Sequence, residues 1–321
     1  MSRRLSLLCA MLGVVLISGC GSLGVKPWQR DVLAREEMQL VLDLYDVERD
    51  RPYKGMSTRD PKASICTVLG TCLTLLGYAD SGAALSLEGV NHAETLNHPI
   101  SLILGLRRAC VQGMLERNTD RVSELSERLI AVRRSYETFK GNREGAIFHD
   151  WALLRSRPDL AAFERMEESL RQLDAGKNWA LLPFFLGCAA ELRGEYGYAD
   201  AAMALLDRAA ELVAITGERW CEAEIMRLRA RFGGSEQAVP LLEASLATAR
   251  EQDAKLWELR TATTLAGVLR DQGHSAVAEE VLAPVYDSFT EGWATADLVT
   301  ARELLDELGG QSGRSRSRVS S

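Results

Sequence analysis

The chain has 321 residues, a formal net charge of −7, 46 % hydrophobic and 26 % charged residues, an ordinary globular balance. The acidic balance excludes general nucleic-acid binding, which needs a basic face to neutralise phosphates. With only 8 prolines to break helices, the composition predicts a mostly helical protein.

In chain order, Arg3 and Arg4 precede an apolar run over 5–17 that is too short to span a bilayer comfortably, so 1–19 reads as a signal peptide. It ends Ile17-Ser18-Gly19-Cys20, which resembles the lipobox of bacterial lipoproteins. The resemblance implies lipidation of Cys20 by several acyl chains, enough to anchor a protein where one chain is not. The alternative is an ordinary secretory signal with a chance cysteine. Gly21 and Ser22 follow, with no Asp to suggest retention in the inner membrane, so the expected location is the bacterial outer membrane with the body in the periplasm.

Five cysteines remain beyond the anchor, Cys66, Cys72, Cys110, Cys188 and Cys221, an odd number for an oxidising compartment and without paired metal spacing. They read as small apolar side chains in helix interfaces, or in part as a disulfide such as Cys66 to Cys110.

Residues 20–46 form the lipid-anchored segment. Its Lys26-Pro27-Trp28-Gln29-Arg30, Leu33-Ala34 and Met38 resemble a motif of short, uncharacterised bacterial lipoproteins. Equally, the segment reads as a tether with Trp28 at the membrane interface. The charged stretch 47–60, with Pro52 and Gly55, reads as a linker. Helical patterning then predicts hairpins from 63–76 with 79–96, 98–115 with 119–139, and 143–154 with 159–173.

Three further copies are led by tryptophan: Trp179, Trp220 and Trp257, with Trp293 next in step. Each copy runs an apolar helical pattern, breaks at glycine (Gly194, Gly233-Gly234, Gly273) and starts a second Ala- and Leu-rich pattern. A period near forty residues, made of two helices and a glycine turn, is the signature of a helical repeat array. Pro240 and Pro284 stand in the second helices, where each is expected to remove a backbone donor and bend the helix. A last helix over 295–308 suits a polar cap, and 310–321 reads as a disordered tail.

The body, 61–309, is similar to the C-terminal tetratricopeptide-like (TPR) region of bacterial regulators that carry adenylate or guanylate cyclase or predicted ATPase domains. The phrases that carry the resemblance are LLGYADSGAALSLEGVNHAETLNHPISL, TGERWCEAEIMRLRA and AREQDAKLWELRTATTLAGVLRDQGHSAVAEEVLAPVYDSFTEG. It implies an all-α, TPR-like solenoid, a right-handed superhelix of helical hairpins. No Gly-x4-Gly-Lys-Ser/Thr loop is present to cradle phosphates, so what carries over is the scaffold and not nucleotide chemistry.

Chemistry-bearing residues are sparse. His92 and His98 stand six apart, not at the i, i+4 spacing that places two ligands on one helical face, and no metal or cofactor is expected. Nucleophile elbows are absent, and paired carboxylates such as Glu167-Glu168 read as solvated helix faces. The tryptophans read either as hairpin core or as the lining of a groove for a protein or peptide. For the groove, the candidate contacts are Trp220, Glu224 and Arg227, and Trp257 and Arg260, because aromatic and Arg side chains are the usual interface anchors. The expected function is a non-catalytic, lipid-anchored scaffold for a protein partner, the alternative a small-molecule-sensing repeat module.

Overall fold

The computed structural model describes residues 40, 42–46, 59–135, 143–234 and 237–319, with side chains as far as Gly309. Among these residues the protein is all-helical, without a strand. Cys20, Trp28, the signal peptide and most of the 47–60 linker lie outside them. The chain divides into two compact units.

Of the described residues, the first unit takes those up to 74, those within 80–179 and 216–218. Its helices are α1 (Pro61–Leu75), α2 (Ala79–Thr95), α3 (Pro99–Leu115), α4 (Thr119–Ser135), α5 (Arg143–Ser156) and α6 (Leu160–Ala175). Helix starts follow local chemistry. The Asp60 carboxylate accepts from Ala63 N at 2.8 Å, and Asp159 accepts from Ala162 N at 3.0 Å, each satisfying an amide that has no partner within the helix. Pro99 occupies the first turn of α3, where no donor is lost.

Glycine sets how closely α1 and α2 approach. A Cβ on Gly82 would stand 2.6 Å from the Gly70 carbonyl, and one on Gly89 2.8 Å from the Cys66 Cβ. Onward, α3, α4, α5 and α6 pack in sequence, and α3 also meets α5. Leu106, Leu115, Leu129, Ile147, Phe148, Leu154 and Met166 are fully buried between them. Each such side chain contributes roughly 1.5–3 kcal/mol through removal from water. All five described cysteines carry free thiols, Cys66 and Cys110 among them. Both are wholly buried, so they pack as apolar side chains and form no disulfide here.

Of the described residues, the second unit takes 75–79, 180–215 and those from 219 on. Its helices are α7 (Leu182–Glu195), α8 (Ala199–Thr216), α9 (Glu222–Phe232), α10 (Ala238–Glu251), α11 (Lys255–Asp271), α12 (Ser275–Tyr286) and α13 (Ala296–Val319). Within it α9 packs on both α7 and α11, and α11 on α13, while α10 and α12 fill the second layer. Leu259, Ala262, Ala278, Leu282, Leu298, Ala301 and Leu308 form the core shared by α11, α12 and α13.

Three local readings change. Gly194 does not end α7, which runs to Glu195; the stop is Gly197, at φ +86°. Gly194 is needed because its Cα faces the Phe232 ring of α9, whose atoms a Cβ would meet at 2.3 Å. Pro240 falls in the first turn of α10, where its missing N–H has no acceptor to lose, so it starts the helix instead of bending it. Pro284 does lie inside α12, near its end at Tyr286. The last helix continues to Val319, beyond the 295–308 read from the pattern.

Candidate functional site

The five groove candidates converge on one internal structure in the second unit. Trp220 stands in the turn before α9, Glu224 and Arg227 in its first turns, and Trp257 and Arg260 at the start of α11. Trp220 and Trp257 stack with ring centroids 6.3 Å apart at 29°, and Trp257 Nε1 donates to the Trp220 carbonyl at 2.8 Å. Phe184 of α7 extends the row, 5.0 Å from the Trp220 ring. The row stops there, because Trp293 is 46 % exposed and packs edge-on to Tyr286. Trp179, in the first unit, donates to Asp174 at 3.0 Å.

Beside the rings runs a row of alternating charges across α7, α9, α11 and α13. Arg227 donates to Glu191 Oε1 through Nη2 at 3.0 Å, and clamps Glu224 through Nε at 2.7 Å and Nη2 at 2.8 Å. Glu224 Oε1 also accepts from Arg260 Nη1 at 3.1 Å. Arg260 then donates to Asp297 Oδ2 from Nε at 3.0 Å and Nη2 at 2.8 Å. At the other end Arg231 reaches Glu195 at 3.3 Å and Glu191 at 3.6 Å. In order the row reads Arg231, Glu191, Arg227, Glu224, Arg260, Asp297, so each charge lies between opposites.

The row is buried except at its Arg231 end, whose side chain is 40 % exposed. Burial drives the Glu224 carboxyl up, but Arg227 and Arg260 outweigh it and hold the group below its ordinary value of 4.5. Glu224 therefore stays ionised near neutral pH and does not serve as a proton carrier there. Arg227 Nη1 donates to Thr264 Oγ1 at 3.3 Å, and that hydroxyl donates to the Arg260 carbonyl at 2.9 Å, so the polar groups are satisfied along the row. A buried ion row adds little net stability, since desolvation offsets the attraction; what it enforces is alignment, because a slipped helix leaves a buried charge unpaired.

As contacts for a partner, these residues differ in access. Glu224, Arg227, Trp257 and Arg260 are buried and occupied by one another, and only Trp220 is half-buried. The expectation that Glu224, Arg227 and Arg260 present charge to a partner gives way to an internal pairing. Glu191 and Asp297 were missed in the sequence, although a signal existed: they lie one repeat period from Arg227 and Arg260, with separations of 36 and 37 residues.

His92 and His98 of the first unit stand beside helix caps. Asp60, wholly buried, accepts from Tyr45 Oη at 2.8 Å and lies 3.3 Å from His92 Nε2, while its own amide donates to Ser101 Oγ at 2.9 Å. His98 Nδ1 lies 2.9 Å from the same Ser101 hydroxyl. No group of three or more His, Cys, Asp or Glu able to hold a metal ion occurs among the described residues. Nor is any helix among them long and apolar enough to cross a membrane.

No protein-family model matches this chain, and no curated protein matches it.

Proposed function

We propose that the chain is a non-catalytic lipoprotein, anchored through acylated Cys20 to the bacterial outer membrane, whose periplasmic TPR-like repeats bind a protein or peptide partner. The observation that carries the repeat reading is the constant step of its cross-helix bonds. Trp257 to Trp220, Arg260 to Asp297, Arg227 to Thr264 and Arg270 to Glu307 are each 37 residues apart, and Arg227 to Glu191, Arg260 to Glu224 and Arg231 to Glu195 each 36. A right-handed superhelix of hairpins places equivalent positions of successive first helices side by side, which is what such a step requires. In this reading the charge row is the frame of a groove, and the partner meets it where it opens, at the half-buried Trp220 and at Arg231.

Two measurements test it. Labelled palmitate should be incorporated into the wild type and lost in Cys20→Ser. Reversible crosslinking in the native envelope should capture one dominant protein that is lost in Arg231→Ala with Trp220→Ala. Labelling that persists in Cys20→Ser sinks the anchor, and capture that is indifferent to the double substitution sinks the groove.

A further inference from the structure

A short stretch ahead of α1 already lies against the first hairpin. Leu40 and residues 42–44 are helical, and Leu42 packs, half-buried, against the buried Ile65 and Leu69 pair of α1, which Val68, Leu73 and Leu85 also flank. Three residues on, Tyr45 Oη donates to Asp60 Oδ2 at 2.8 Å and stands 2.9 Å from His92 Nε2, with its ring edge-on to the imidazole at 5.3 Å between centroids.

These contacts give the stretch a direction. Tyr45 meets the residue before α1, whereas Leu42 meets the second and third turns of that helix, so the chain runs antiparallel to α1 and the residues before Leu42 head towards Leu73. There Val68, Leu73 and Leu85 are only half-buried, an apolar strip that Leu42 begins to cover. The sequence supplies a match. Ala34, Met38, Leu42 and Tyr45, spaced four, four and three, share one helical face, and Leu40 and Asp43, both exposed, fall on the other. Length agrees as well: as helix, Ala34 to Tyr45 rises about 17 Å, and Asp60 to Leu73 about 20 Å.

We propose that the segment 31–39, which lies outside the described residues, extends this contact and seats its Ala34 and Met38 face on the Val68, Leu73 and Leu85 strip, capping the first hairpin. A hairpin at the end of a stack has one face without a neighbour, and an amphipathic segment closes it. Met38, unbranched and pliable, suits an irregular strip, and small Ala34 allows close approach. The seat also gives a purpose to two members of the motif Trp28, Arg30, Leu33-Ala34 and Met38. A consequence for the tether rests on the lipid-anchor reading above, although the seat itself does not. With Cys20 acylated, the free tether falls from 20–41 to 20–30, which shortens its reach from about 73 Å to about 36 Å and holds the first hairpin near the bilayer.

The test is limited trypsin digestion of the full chain in mild detergent, with cleavage after Arg35 followed by mass spectrometry, alongside urea unfolding. Arg35 should be protected in the wild type. Met38→Asp should speed its cleavage at least about tenfold, since cleavage tracks the population of the opened segment, and should lower the urea midpoint. Leu40→Asp, on the opposite face, should leave both as in the wild type, which separates loss of the seat from a charge merely added to the segment. Met38→Leu should behave as the wild type. The proposal is overturned if the wild type is cut after Arg35 as fast as Met38→Asp, or if Leu40→Asp does as much as Met38→Asp. Protection that grows with protein concentration would also overturn it, because a second copy would then be covering the strip. Cys20→Ser should leave all of these results unchanged, so the seat and the anchor fail separately.

Discussion

Glu224 of α9 and Arg260 of α11 meet at 3.1 Å, 36 residues apart in the chain and both buried, in the middle of a row of alternating charges. Because Arg227 clamps the same carboxylate, Glu224 is shared by two buried guanidiniums. Removing it takes one carboxylate from each, leaving Arg227 with Glu191 and Arg260 with Asp297. Glu224→Ala should therefore lower the unfolding free energy by about 3–5 kcal/mol, as expected when one member of a buried ion pair is deleted. Urea unfolding followed by circular dichroism measures this. The double substitution with Arg260→Ala should cost less than the sum of the singles, and strict additivity would show that the pair is not coupled.

The same carboxylate makes the second unit acid-sensitive. Its folded pKa is depressed below 4.5 by Arg227 and Arg260 against the opposing effect of burial. Stability from this source is present above 4.5 and lost as pH falls through the folded value, because the unfolded chain then binds the proton more readily. The difference in urea midpoint between wild type and Glu224→Gln should shrink below about pH 4, and a constant difference down to about pH 2 would refute the linkage.

Glu116, at the end of α3, carries the opposite sign. Burial raises its pKa from 4.5 to about 7, although Arg121 and Gln112 pull it down. Here the folded state holds the proton more tightly, so the contribution is fully present below 4.5 and is lost as pH rises through about 7. Relative to wild type, Glu116→Gln should gain stability between about pH 5 and about pH 8, read from paired urea titrations; a flat difference would contradict it.

Two glycines in equivalent helices should respond in opposite directions. A Cβ at Gly194 meets the Phe232 ring at 2.3 Å, whereas one at Gly267, within α11, meets nothing within 4 Å. Gly194→Ala should destabilise by roughly 1–3 kcal/mol through overpacking and be partly rescued by Phe232→Leu. Gly267→Ala should stabilise by roughly 0.5–1 kcal/mol by lowering the freedom of the unfolded chain. Melting temperatures that move the same way for both would mean that the α7 and α9 packing is wrong.

Thiol access gives a check on the first unit. Cys66 is wholly buried and desolvation raises its pKa to about 11; Cys110 is buried too, and its thiol is pushed up further. Neither should react with an aromatic disulfide reagent until the protein unfolds, while the half-buried Cys72 and Cys188 react first. Rapid native modification of Cys66 or Cys110, located by peptide mass spectrometry, would contradict the α1 to α3 packing.

The helical class and most element positions were legible in the sequence, because they depend on local quantities. Apolar spacing, the caps at Asp60 and Asp159 and the glycine stop at Gly273 act within a turn or two of the chain. The tryptophan period was also visible, and with it the step that joins Trp220 to Trp257. What the period does not contain is depth. Whether Arg227 and Arg260 face water or Glu191, Glu224 and Asp297 depends on which faces of α7, α9, α11 and α13 meet, and a charged side chain looks the same in a sequence either way. Gly194 shows the same limit at the level of packing: its purpose lies in the Phe232 ring of another helix, 38 residues on, and not in the turn beside it. Local pattern determined the elements, and only their contact in three dimensions decided which charges are buried and which are paired.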